Sequence, residues 1–281
     1  MRRGDHSYGA LPEPVFTPAL ADLVRTGEVL SLQHTIEPGI PVPSAHVPLV
    51  VAPYLRHGDA GSTFATGGGF ASEITIMGQH TGTHIDGLSH FHKRVGGVDY
   101  LYGGLPAPTL LKEDDGTPWG AENMPPLMGR AVLLDIARSL GQAVLPESFE
   151  ISVVDIDACM AAQESNVVKG DIVLLRTGYS TYWRDSRRFL SMQPGIGLEA
   201  AKYLEARGVI AVGSDTATVE VLPSTGLPVH EHLLVEAGMP LIECLDLEEV
   251  SERRAFSFLF IAVPLKIKGA TGSVLNPLAI L

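Results

Sequence analysis

The side chains with the clearest chemical potential lie in one stretch, His80-Thr-Gly-Thr-His84-Ile-Asp86-Gly-Leu-Ser-His90. Imidazole and carboxylate are the groups that hold a divalent cation such as zinc or manganese. Of ten histidines in the chain, four fall between positions 80 and 92. Gly78, Gly82 and Gly87 argue against a helix there. In extended chain, side chains alternate between faces, so His80, His84, Asp86 and His90, all even-numbered, share one face. Gly82 between two candidate ligands leaves room where a cation would sit. Straight chain would separate positions 80 and 90 by about 33 Å. His90 therefore joins the others only if the backbone bends, and Gly87 is the natural place for the bend. A lone histidine beside a glycine is more often a satisfied core residue. Three histidines and an aspartate in phase favour a metal site instead. His92, beside Lys93 and Arg94, reads as surface.

Short apolar runs must position this stretch. Residues 131–136, 172–175, 209–212 and 256–263 read as buried strands. Residues 155–162 and 198–207 read as helices; Gly208 closes the second and Val209 opens a strand at once, a hand-off of the α/β kind. Pro14 to Gly27 reads as a further helix, with Leu20, Leu23 and Val24 on one face and Gly27 as its stop. Residues 36–69 are rich in Pro, Gly and His and have no period, so they read as a long excursion of the sort that shapes binding sites. No composition break or repeat divides the chain, and residues 1–281 read as one domain.

Composition narrows the function classes. With 281 residues, 45% hydrophobic and 19% charged, the chain is of ordinary globular type. A net charge of −12 opposes any polyanionic partner, and Arg187-Arg188 and Arg253-Arg254 are isolated surface pairs. Nucleic acid is thus excluded as a partner. No apolar run reaches bilayer length, and none follows Arg2-Arg3, so neither a membrane span nor a signal peptide is expected and the cytoplasm is the default. Cys159 and Cys244 read as two free thiols. Gly195-Ile-Gly197-Leu-Glu-Ala200 has the form of a dinucleotide fingerprint but follows Gln193-Pro194 rather than a strand. Gly67-Gly68-Gly69 reads as a flexible loop, and Ser214-Asp215 as a turn at a strand end rather than a nucleophile.

The stretch from His80 to His90 resembles the H-x-G-T-H-x-D-x-P-x-H signature of the cyclase-like metal hydrolases, which include bacterial kynurenine formamidase, isatin hydrolase and a dienelactone hydrolase. The resemblance extends along the chain through Leu23-Val-Arg-Thr-Gly27, Gly170–Gly178 with Tyr182-Trp183, Gly213-Ser-Asp-Thr216 with Glu220, His230-Glu-His-Leu-Leu234, Ile242–Leu247 and Pro264–Ser273. It implies that His80, His84 and Asp86 are metal ligands and that His90 is the catalytic acid/base. It also implies that His230 and Glu243 complete a second metal site. The residues alone do not choose between His230 and His232; the resemblance picks His230, because Leu233-Leu234 follow it at the family's offset. The implied fold is α/β, a swivelling β/β/α cyclase-like architecture with a mixed central sheet and flanking helices, assembled as a homodimer or homotetramer. Where the signature has proline, this chain has Leu88.

The expected activity is hydrolysis of an amide, lactam or lactone bond in a small cyclic or aromatic molecule, through water activated by one or two Zn²⁺ or Mn²⁺ ions. An arylformamidase acting on N-formylkynurenine is the alternative within enzymes. A non-catalytic metal-binding protein is the alternative from another class, distinguished by a closed site with every position filled by protein.

Overall fold

The computed structural model of the chain describes residues 8–107 and 117–281. Arg2 and Arg3 fall outside them. Among the described residues, nine strands form one mixed sheet. In chain order they are β1 (Val29–Ser31), β2 (His84–Asp86), β3 (Leu127–Asp135), β4 (Ile172–Arg176), β5 (Ala211–Ser214), β6 (Leu241–Glu243), β7 (Ser257–Ala262), β8 (Gly272–Val274) and β9 (Leu278–Ile280). Their order across the sheet is β1-β9-β7-β3-β4-β5-β6-β2-β8. β3 to β6 run parallel. β7, β9 and β1 continue antiparallel on one side, and β2 and β8 on the other.

Parallel strands are covered on both faces, so they carry unbroken apolar runs rather than alternation. Val132, Leu133, Leu134, Val173, Leu174 and Val212 are all completely buried. Helix α1 (Val153–Ala162) starts where Ser152 and Asp155 cap each other's backbone N–H groups, and it buries Ile156, Cys159 and Met160. Helix α2 (Leu198–Ala206) buries Ala200, Ala201 and Leu204. Gly208 follows it at φ +77, a conformation glycine takes without strain. A mixed central sheet with flanking helices is the architecture expected from the sequence.

Three of the expected helices and strands needed correction. Pro14 to Gly27 is not a helix: only Pro18–Ala21 turns, and none of its side chains is buried. Val15, Phe16 and Val24 stay exposed. A short amphipathic segment with nothing to pack against does not sustain helix. β3 starts at Leu127 rather than 131, because Gly129 and Arg130 interrupt the apolar run while still pairing with β7. β5 runs from 211 into Gly213 and Ser214, two residues beyond the apolar cue.

The 36–69 excursion is not wholly irregular. Val50–Leu55 pairs antiparallel with Ser72–Ile76 in a separate two-stranded hairpin. Pro53 and the loop chemistry around it hide this strand from periodicity. No helix among the described residues is long and apolar enough to cross a membrane. Cys159 and Cys244 are both buried and free of a disulfide. Gly197, at the start of α2, packs closely against the Glu150 carboxylate.

Candidate metal centre

β2 sits between two antiparallel neighbours. Its register sets Glu243 of β6 opposite His84 and Gly272 of β8 opposite Asp86. Alternation puts His84 and Asp86 on one face and sends Ile85 into the core at zero exposure. A directly paired residue shares the face of its partner, so Glu243 joins His84 although 159 positions separate them in sequence. Its Oε2 lies 3.5 Å from His84 Nε2.

His80 reaches the same place by another route. Residues 80–83 are not extended: Gly82 bends the chain at φ +67. Its function is this bend, not clearance for a cation, since a Cβ there would meet only Ile36 and Ile40. The clearance is at Gly272, where a Cβ would fall 2.5 Å from His80 Cε1. His80 Nδ1 thereby lies 2.6 Å from Asp86 Oδ1, and its Nε2 lies 2.9 Å from Thr271 Oγ1.

The bend at Gly87 is present. The His90 N–H donates to Gly87 O at 2.9 Å and closes a turn. The His90 ring stacks on that of His80 at 3.9 Å between centroids, and its Nε2 is 4.0 Å from Asp86 Oδ2. Leu88, at the proline position of the signature, uses its N–H to donate to the Tyr8 hydroxyl at 3.1 Å. Proline has no such donor. Tyr8 also fills the space beside Gly87, so this turn is held by packing and a hydrogen bond instead of a ring. His92 is half-exposed near Asp99, as expected of a surface residue.

His230 and His232 separate cleanly. His230 ends a turn of α-helix (Pro228–His230) that runs on as a π-helix over Glu231–Glu236. Its Nε2 lies 3.3 Å from Glu243 Oε1 and 4.0 Å from Asp86 Oδ2. His232 points elsewhere, at 2.7 Å from Glu205 and 3.0 Å from Glu236. Two trios result, His80–His84–Asp86 and Asp86–His230–Glu243, each with donor atoms within 4.8 Å of one another. Asp86 belongs to both and His90 to neither.

Each imidazole has one nitrogen turned inward and the other held from outside. His84 Nδ1 donates to Gly82 O at 2.7 Å, and His230 Nδ1 donates to Glu220 Oε2 at 3.0 Å. Such outer partners fix ring orientation and tautomer in metal sites. Glu220, Thr271 and the pocket residue His46 were given no role from sequence. Glu220 is buried and also accepts from the Ser224 hydroxyl, and nothing local in Thr216–Glu220 announces it.

The charges are strongly coupled. Burial alone would raise the Asp86 carboxyl, but His90, His80 and His84 hold it well below the usual range. Burial would depress His230, yet hydrogen bonds to Glu220 and Glu243 lift it to about 10. His84 is likewise lifted by Asp86, Cys244 and Glu243 against the effect of burial. Burial pushes His90 down to about 4 even beside Asp86. The cluster therefore attracts positive charge to its centre and leaves His90 neutral at its margin.

Asp86 Oδ2 provides the test of fit for a cation. It is buried and has no hydrogen-bond partner among the described residues. Leaving a buried carboxylate oxygen unsatisfied is expensive, and a cation at the junction of the two trios would satisfy it. Nitrogen and oxygen donors in this number suit a divalent metal. Above the cluster is a cavity of about 160 Å³. Pro41, Pro43 and His46 of the excursion line it, together with Phe91, Leu190 and Leu227. The aromatic carbocycle at this wall is Phe91, next to the signature, and not a residue of the excursion.

The comparisons agree with this architecture. The model of the family described as "Putative cyclase" matches residues 30–221. A kynurenine formamidase from Bacillus cytotoxicus is 26% identical over 197 residues, covering 70% of this chain and 74% of that protein. An isatin hydrolase from Roseibium aggregatum is 24% identical over 221 residues, covering 75% of each. A crystal structure of a novel cyclase superposes with a TM-score of 0.87 at 30% identity, over 99% of this chain and 97% of the other. Isatin hydrolase A from Ralstonia solanacearum shares the fold, with a TM-score of 0.69 at 23% identity over 95% and 97%. Paired with a buried cluster of histidine and carboxylate on β2 and β6, the match over residues 30–221 establishes that this chain belongs to the cyclase family of metal-dependent hydrolases.

Proposed function

We propose that this chain hydrolyses an amide or lactam, or else a lactone, in a small cyclic or aromatic molecule. The observation that carries the reading is Asp86: one carboxylate shared by two donor trios, with an orphaned oxygen and a neutral imidazole beside it. His80, His84, Asp86, His230 and Glu243 would hold one or two divalent ions, Zn²⁺ or Mn²⁺. Such a cation, when bound, supplies Lewis acidity and lowers the pKa of a coordinated water. His90 keeps a nitrogen free for proton transfer, taking the proton of the attacking water and returning it to the leaving nitrogen or oxygen. Glu220 and Thr271 orient His230 and His80. Phe91, Leu190 and the two prolines give an apolar wall suited to a flat ring, and the names of the relatives point to amide-type bonds.

Three relatives named kynurenine formamidase favour a second reading, an arylformamidase acting on N-formylkynurenine. The lining includes no Lys or Arg among the described residues, so in this reading the cation would meet the substrate carboxylate. A cytoplasmic setting belongs to the main reading, supported by two free thiols kept apart in separate parts of the core; assembly as a homodimer or homotetramer belongs to it through the family resemblance alone.

The test is metal analysis followed by a panel of formanilides, isatin-like lactams and lactones, with and without chelator. Turnover should vanish on chelation and return with zinc or manganese, and the ion that restores it identifies the cofactor. If chelation only unfolds the protein and no member of the panel is ever cleaved, the site is structural.

A further inference from the structure

Among the described residues, five that are not glycine take a left-handed φ: Ser148, Glu164, Leu227, Cys244 and Arg254. Glu164 and Arg254 are exposed polar residues just past helix ends, and the Ser148 hydroxyl donates to Leu222 O at 2.7 Å. Leu227 and Cys244 differ from these three. Both are apolar, and both line the cavity above the cluster. Each also borders a member of the second donor trio. Cys244 directly follows Glu243, and Leu227 opens the turn that carries His230.

Leu227 is strained twice over. It sits at φ +52 and ψ +61, and Pro228 follows it. A residue with a Cβ is disfavoured in that region, and a following proline pushes the backbone toward the extended form. Neighbours hold the conformation in place. Leu227 O accepts from the Glu231 N–H at 3.1 Å, and the His230 N–H in the same turn donates to Glu220 Oε2 at 3.4 Å. Glycine would follow this path without strain. Gly226 does so one residue earlier, at φ +79, with open space where its side chain would be. The path of the backbone therefore does not account for a leucine. Core packing does not either, since Leu227 is only half-buried. What its side chain does is wall the cavity, and an apolar residue kept at a strained position beside a site marks a functional need for that side chain. The cavity measures about 160 Å³, close to the roughly 150 Å³ that encloses one benzene ring. We infer that Leu227 sets the size limit of the site: it leaves room beside the cation for one aromatic ring and none for a second. The substrate class is thereby narrowed to amides, lactams or lactones that carry a single aromatic ring next to the scissile bond. The inference rests on the reading of this cavity as the place where substrate binds.

The experiment pairs probes that differ by one ring, applied to the metal-loaded full chain. Benzohydroxamate and 2-naphthohydroxamate grip a cation alike and are compared by calorimetry. Formanilide and N-(2-naphthyl)formamide are compared by kcat/KM. The wild type should favour the one-ring member of each pair by about 10-fold or more. Leu227→Ala and Leu227→Gly should both cut that preference by about 10-fold or more, through a gain for the two-ring member. The two variants make similar room, but only glycine relieves the left-handed φ, so Leu227→Gly should unfold at a higher temperature than Leu227→Ala. Metal content at the wild-type level checks that His230 is still in place. A wild type that accepts both ring sizes alike overturns the inference. So does an unchanged preference in both variants, or loss of metal from both, which would make Leu227 a support for His230 alone. Discrimination between the hydroxamates with no turnover of either formamide would keep the size limit and overturn the hydrolytic reading instead.

Discussion

The parallel strands β3 to β5 and the turn-rich stretch around β2 are equally buried but are built on opposite principles. In β4, Ile172 to Leu175 exclude water on both faces and ask nothing specific of their neighbours beyond shape. In β2, His84 and Asp86 are nearly as buried, yet each needs named partners: Gly82 O, Glu243, His80 and an occupant for Asp86 Oδ2. The first kind of burial tolerates change gradually. The second fails when one partner is lost, because a polar group is left stranded.

The largest effect that would sharpen this contrast is at the margin of the cluster. His90→Ala should lower turnover by about 10²–10⁴-fold while metal content, read by elemental analysis, stays at the wild-type level. Loss of metal in that variant would make His90 a ligand and break the distinction between the trios and their neighbour. Next, Leu174→Ala should destabilise the fold by about 2–5 kcal/mol in denaturant titration without altering metal stoichiometry. A changed stoichiometry would mean that core and site are not separable. Glu220→Gln should weaken metal affinity by about 10–100-fold in competition with a chelating dye, leaving thermal stability of the metal-free protein to report any purely structural role.

The smallest effect is in pH. His230, lifted to about 10 by Glu220 and Glu243, holds a proton in the folded metal-free chain that the unfolded chain releases near 6.5. The stability it contributes is complete below pH 6.5 and is lost as pH climbs from there through 10. His90, depressed to about 4, acts in the opposite sense, with stability lost as pH falls from 6.5 through 4. Thermal unfolding of the metal-free protein should therefore show its maximum near pH 6.5. A Tm that rises steadily into the alkaline range would contradict the charge state assigned to His230.

Legibility followed the same divide. The β4 and β7 runs, both interior helices and the His84–Asp86 pair were readable because each rests on local period; His80 and His90 reach the site through bends at Gly82 and Gly87 instead. The helix expected at Pro14–Gly27 failed because its stripe met no partner, and the 50–55 strand was hidden by Pro53 and an irregular setting. Gly82 serves the site through its φ and not through its missing side chain, the opposite of what its position between two histidines suggests.

By itself the sequence determined which groups have the chemistry to bind a cation, since residue type is a local property. It also determined the α/β core, because continuous apolar runs have one economical burial. Only the tertiary structure decided that Glu243 meets His84, that His230 and not His232 turns inward, and that Gly272 makes room for His80. The first and third are facts of strand register and chain return between residues more than a hundred positions apart, the second depends on how the chain folds His230 back between Glu220 and Glu243, and no local pattern encodes them.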